Sequence, residues 1–171
     1  ITIIITSFKS EKAIRKCLKF IDNECKVINV ENSDNKTYKK NIEKEFKNVE
    51  CILSGKNIGY AKGNNIGLRS TKTKYALILN PDAKLFPKTL QNFFLAAEKK
   101  PDFAIMGPDM VSNSSGNGNP DSSSDSIKSV NSIKGYAMFL NLSELKEVGF
   151  FDENFFLYLE EIDLCRRVIK N

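Results

Sequence analysis

Tyr75–Ala83 reads YALILNPDA. Its first five residues are apolar or aromatic, the composition of a short strand buried on both faces. Pro81 stops that strand, and the residue before a proline is held extended, so Asn80 continues the run. Asp82 then falls one step past the strand, at the edge of the sheet.

The same pattern recurs on either side. Ile1–Thr6 (ITIIIT), Lys26–Val30 (KVINV), Val49–Leu53 and Phe103–Gly107 read as further strands. Between them lie helical patterns. Ile14, Cys17, Leu18 and Ile21 share one face behind Ser10, a residue suited to cap that helix. Tyr38, Ile42 and Phe46 share another face. A polar stretch, Asn57–Gly67, runs into a helix that fades by Ser70. Phe86–Lys99 is amphipathic, with Leu90, Phe93, Phe94 and Ala97 together. Strands alternating with helices imply an α/β fold with a mostly parallel sheet covered on both faces.

Ser112–Ser132 interrupts the pattern with Ser, Asn, Gly and Asp, and reads as one long loop. Ile133–Leu140 reads as a strand, Ser143–Val148 as a short helix and Glu160–Lys170 as the last helix. The chain opens at Ile1 inside a strand and closes in a helix, so the expectation is a single domain taken from a longer protein.

Composition narrows the chemistry. Lys plus Arg number 26 and Asp plus Glu 21, a net charge of +5 spread along the chain. That suits a solvated surface better than a nucleic-acid interface. It also suits an anionic diphosphate or an acidic membrane surface. The 171 residues contain no His, which excludes a His general base or triad within this span and argues against zinc sites. Cys17, Cys25, Cys51 and Cys165 form no CxxC pair and read as reduced thiols. No apolar run approaches the ~20 residues that span a bilayer.

Ligands of parallel α/β sheets bind beyond the carboxyl ends of the strands. The residues there are Ser7–Ser10, Glu31–Asp34, Ser54–Gly59 and Asn80–Asp82. Asp82 has two readings. It caps the Pro-Asp turn, or it binds a hard divalent cation whose other ligands are water and substrate phosphate. NIGYAKGNNIG (Asn57–Gly67) is either a loop entering a helix or a backbone that glycines let approach a ligand, with Lys62 reaching a phosphate. Glu160, Glu161 and Asp163 either complement a helix dipole and pair with Arg166 and Arg167, or supply a general base in an apolar setting made by the preceding FFLY.

Four segments together resemble the family-2 glycosyltransferases, especially the bacterial rhamnosyltransferase-like branch of cell-surface polysaccharide synthesis. VENS (Val30–Ser33) resembles V-D-N-x-S. NIGYAKGNNIG resembles N-x-G-x-A-x-G-N-N-x-G. LNPDA (Leu79–Ala83) resembles L-N-P-D, the local form of the DxD motif. GFFDENFFLYLEEIDLCRR (Gly149–Arg167) resembles G-x-F-D-E-x-F-F-x-Y-x-E-D-x-D-L-x-x-R.

The resemblance implies a GT-A, Rossmann-like fold and inverting transfer of a sugar from a UDP- or dTDP-sugar to a glycan or lipid-linked acceptor. It implies a cytoplasmic enzyme that can work at the inner face of the membrane, with Mg2+ or Mn2+ as cofactor. Thr6 would floor the nucleotide pocket and Glu31 would meet the base or ribose. Asn57, Gly59 and Lys62 would lie beside the sugar diphosphate, with Asn80 near the ribose. Asp82 would hold the metal, and Gly135 would line the donor-sugar and acceptor region. Glu161 would be the base, and Asp163 and Arg166 complete the helix motif. Glu31 and Glu161 each stand where the family has Asp. Those two substitutions keep a non-catalytic binding module open as an alternative. A sugar nucleotidyltransferase is another. Ser112–Ser132 is then a lid or an idle surface loop.

Overall fold

The computed structural model describes residues 1–109 and 127–171. Six strands form one sheet in the order β3-β2-β1-β4-β6-β5. They are β1 Thr2–Ser7, β2 Lys26–Glu31, β3 Val49–Leu53, β4 Tyr75–Leu79, β5 Ile105–Met106 and β6 Ala137–Asn141. The helices are α1 Glu11–Leu18, α2 Lys36–Glu45, α3 Tyr60–Ser70, α4 Thr89–Lys99 and α5 Glu160–Lys170. Neighbours β1/β2, β2/β3 and β1/β4 pair in parallel, whereas β6 runs antiparallel to both β4 and β5.

Successive strand residues face opposite sides of a sheet, and β1 shows the result. Ile3 and Ile5 join a core with Ile14 and Leu18 of α1, Tyr38 and Ile42 of α2, and Phe93 of α4. Ile4, between them, joins the other core with Ala61 and Leu68 of α3 and Leu164 of α5. The sheet is thus covered on both faces, as the β-branched runs predict.

Three expectations change. Ser143–Val148 forms consecutive turns, not a helix, with Leu145 buried beneath them. Helix α4 starts at Thr89 because Pro87 keeps Phe86 out of helical geometry and Lys88 takes a left-handed φ of 68°. Ser10 stands at the cap position of α1, but its side chain makes no capping bond and its hydroxyl is buried without a partner. Of the expected loop, residues 112–126 lie outside the described residues. Residues 127–132 are exposed and irregular.

The direction of β6 decides what gathers at the site. Leu79, the last residue of β4, lies opposite Ala137, the first of β6. The start of β6 therefore falls on the same edge as the carboxyl ends of β1, β2 and β4. Gly135 is brought beside Asn80 in this way.

Candidate active site

The convergence begins with Tyr60, the first residue of α3. Its hydroxyl lies 2.8 Å from the Gly135 carbonyl and 3.0 Å from Oδ1 of Asn80. Asn80 is also tied through its backbone, its N–H donating to the Tyr136 carbonyl at 2.9 Å. Two residues on, Asp82 is exposed. No hydrogen bond or ion pair engages its carboxylate among the described residues. On the other side, a Cβ built on Gly135 would sit 3.7 Å from Cβ and Cγ of Glu161. Asp82 and the start of α5 thus share one edge of the sheet. The charges of Glu160, Glu161 and Asp82 all bear on the Tyr60 phenol, after burial, which is the main reason its pKa is raised.

The three acids at the start of α5 are in different situations. Glu160 is 4% exposed and one of its carboxylate oxygens is buried without a partner. Burial raises its pKa, the bond from its own backbone N–H opposes that, and the Glu161 charge adds to it. Asp163 receives Nε of Arg167 at 2.8 Å. Glu161 is half-buried beside Gly135 and carries no ion pair or hydrogen bond among the described residues. It is the one carboxylate of the three that is both accessible and uncommitted.

Arg167, not Arg166, is the partner of Asp163. Its Nη1 and Nη2 also donate to the carbonyls of Val148 and Phe150, at 2.8 and 2.6 Å. Arg167 thereby fastens the turn that leads into the aromatic segment. Arg166 is exposed. The sequence shows both arginines at helical spacing from Asp163. Only the fold shows which one faces the turn.

The Gly-rich stretch is used mainly for packing. A Cβ on Gly63 would stand 2.5 Å from Cγ2 of Thr6, and one on Gly67 would stand 2.4 Å from Cγ2 of Ile4. The absence of both lets α3 lie directly on β1. Gly59 combines a φ of 86° with a Cβ position only 2.4 Å from the Phe156 carbonyl oxygen. Only glycine accepts both conditions. At these three glycines the space a side chain would take is occupied by protein.

The asparagines of this region also bond to protein groups. Asn64 accepts from Thr6 Oγ1 at 2.8 Å. Asn65 donates to the Phe151 carbonyl at 2.8 Å and accepts from its N–H at 3.1 Å. Asn57 Oδ1 accepts from the Gly59 N–H at 3.1 Å, and Asn32 donates to the Gly59 carbonyl at 2.9 Å. Lys62 is exposed, and its charge helps lower the pKa of Glu153, behind the hydrogen bonds from Asn65 and Arg69.

At the ends of β1 and β2, Glu31 is 4% exposed. Its carboxylate accepts from Ser7 Oγ at 2.5 Å, Ser33 Oγ at 3.0 Å and the Lys9 N–H at 3.3 Å. Beside it opens a pocket of about 680 Å³ whose lining includes Lys9, Ser10, Glu31, Ser33 and Asn35. Thr6, 7% exposed, lies at the interface between β1 and α3.

No group of three or more Cys, Asp or Glu side chains is placed to cage a metal among the described residues. Asp82 offers a free carboxylate at the carboxyl edge of the sheet. That fits Mg2+ or Mn2+ bound jointly with a diphosphate, since such ions keep water and phosphate ligands.

The family profile described as glycosyl transferase family 2 matches residues 2–165. The chain belongs to this family. Among curated relatives, it is 24% identical over 192 residues to the low-salt glycan biosynthesis hexosyltransferase Agl10 of Haloferax volcanii, covering 98% of this chain and 61% of that protein. Among solved structures it resembles the mannosyltransferase PcManGT from Pyrobaculum calidifontis in complex with GDP-Man and Mn2+. The TM-score is 0.74 at 12% identity, over 98% of this chain and 51% of that one. It also resembles S. aureus TarS 1-349 in complex with UDP-GlcNAc, with a TM-score of 0.68 at 15% identity over 98% and 52%. The chain therefore spans about three-fifths of the relative and half of these solved chains. The family's α/β architecture is the one observed here. The chain contains no helix, among the described residues, long and apolar enough to cross a membrane.

Proposed function

We propose that this chain is the donor-binding, catalytic part of an inverting, metal-dependent glycosyltransferase. The observation that carries the reading is the meeting of Asp82, Asn80, Gly135 and Glu161 around one tyrosine at the carboxyl edge of the sheet. In this reading the nucleoside occupies the pocket beside Glu31, over Thr6. Glu31 shapes that pocket by fixing Ser33 and the Lys9 backbone. Asn57 and Gly59 shape the bend that leads into α3, and Lys62 and Arg166 supply positive charge at its margins.

Bound to Asp82 and the diphosphate, Mg2+ or Mn2+ would neutralise charge on the departing nucleotide. Glu161 accepts the proton of an acceptor hydroxyl, whose oxygen bonds to the anomeric carbon on the face opposite the nucleotide. The bond to the nucleotide diphosphate breaks with its electron pair, and the configuration inverts. Asp163 holds Arg167, and through it the turn at Val148–Phe150. A positioned general base contributes on the order of 10²–10⁴-fold.

The relatives support donor classes of the nucleotide-diphospho-sugar type. UDP-sugars and dTDP-sugars, including the deoxyhexose donors of the rhamnosyltransferase-like branch, head the set to test. A glycan or lipid-linked acceptor at the cytoplasmic face of a membrane completes the proposal.

The test is transfer and donor hydrolysis across a panel of nucleotide sugars with Mn2+, with and without EDTA. Turnover that needs the cation and collapses in Glu161→Gln is expected. Donor binding without turnover, unchanged in that variant, would point instead to a binding module. Pyrophosphate release from a nucleoside triphosphate would point to a nucleotidyltransferase.

A further inference from the structure

One oxygen atom bridges the end of β4 and the segment before β6. The Tyr60 phenol has a single proton and three polar neighbours, the Gly135 carbonyl, Oδ1 of Asn80 and the side chain of Asn64. The Gly135 carbonyl and Asn80 Oδ1 both only accept, so the one phenol proton is shared between them, at 2.8 and 3.0 Å. The amide of Asn64, which has no other partner for its Nδ2, is the donor beside the phenol oxygen. Asn80 stands two residues before Asp82, and Gly135 lies against the side chain of Glu161.

The tyrosine is itself held in place. Its N–H donates to the Phe156 carbonyl at 2.7 Å, and its ring packs on the core beneath α3 and α5. Burial, the adjacent Glu160 and Glu161 charges and Asp82 keep the phenol protonated, so it remains a donor across the neutral range.

We infer that Tyr60 is a positioning residue that, with the Asn80 N–H bond to the Tyr136 carbonyl, holds the cation-side turn at Asp82 against the base-side loop at Gly135 and Glu161. This rests on the transfer reading above. Inverting displacement needs base and leaving group on opposite faces of one carbon. Their spacing is therefore a geometric requirement, and misplacement of about 1 Å costs on the order of 100-fold.

Tyr60→Phe tests the inference, because it removes one oxygen and keeps the ring. The expected result is a fall in kcat on the order of 10–100-fold. The KM for donor and the Mn2+ requirement stay near wild type, and the melting temperature falls by a few degrees. Amide hydrogen exchange over residues 80–83 and 134–137 becomes faster, since each segment loses a tether. A rise in KM at unchanged kcat would show lost uniform binding and overturn the inference. So would unchanged kcat. Should the wild type transfer none of the sugars offered, the transfer reading fails, while exchange still decides the tether. Unchanged exchange in both segments overturns it, and faster exchange in both sustains it.

Discussion

Glu31 and Glu160 are equally buried, at 4% exposure each, and the fold treats them in opposite ways. Glu31 ends β2 with its carboxylate accepting from two serines and a backbone N–H. Glu160 starts α5 with one oxygen buried and unpartnered, next to a second carboxylate. Burial by itself therefore says little about role. A buried carboxylate whose bonds are complete belongs to the scaffold. One left incomplete beside another acid marks a place where the fold tolerates electrostatic cost, and such places concentrate at reactive sites.

The contrast can be broken first at its reactive end. Glu161→Gln should lower transfer by 10²–10⁴-fold, the general-base range, with little change in melting temperature. Retained activity would remove the base from the start of α5. Asp82→Asn should cost a comparable loss that added Mn2+ restores only in part, read from metal titrations of activity.

At the scaffold end, Glu31→Gln should destabilise by about 1–3 kcal/mol in urea unfolding. It places an amide NH2 among donors and leaves one of them unsatisfied. No loss of stability would show that the Ser7 and Ser33 bonds are dispensable.

Glu160→Gln sharpens the comparison through pH. A carboxyl whose folded pKa is raised favours the fold while it is protonated in both states, and loses that advantage as pH rises. Wild type and variant should match near pH 4, just below the ordinary Glu value of about 4.3. They should diverge toward pH 7, with the wild type the less stable of the two. A melting series across that range reads the sign, at about 2–4 °C per kcal/mol for a chain of this size. Smallest of all, Arg69→Ala removes an exposed pair with Glu153 and should cost under about 1 kcal/mol.

Much of this arrangement is legible in the residues. β-branched runs place the strands, and Pro81 places Asp82 at the sheet edge. The acids of Glu160–Asp163 fall at a helix start as periodicity requires. Three things are not legible. The direction of β6 depends on how a distant segment returns to the sheet, and local alternation is the same for either direction. The glycines of Gly59–Gly67 look the same whether they face a ligand or a neighbouring strand, and only packing on Thr6 and Ile4 tells them apart. Tyr60 carries no local signal of its own, because its hydroxyl finds Asn80 and Gly135 only after β4 and β6 are paired.

The reversed sixth strand also fixes where Gly135 stands. Its register, Leu79 opposite Ala137, is locked by the ladder and not by the chain preceding it. Gly135 and its tyrosine clasp are held by that ladder and by the anchored Ile133, whose N–H lies 3.4 Å from Cys165 Sγ. The spacing of Asn80 and Gly135 is thus written into the pairing of two strands.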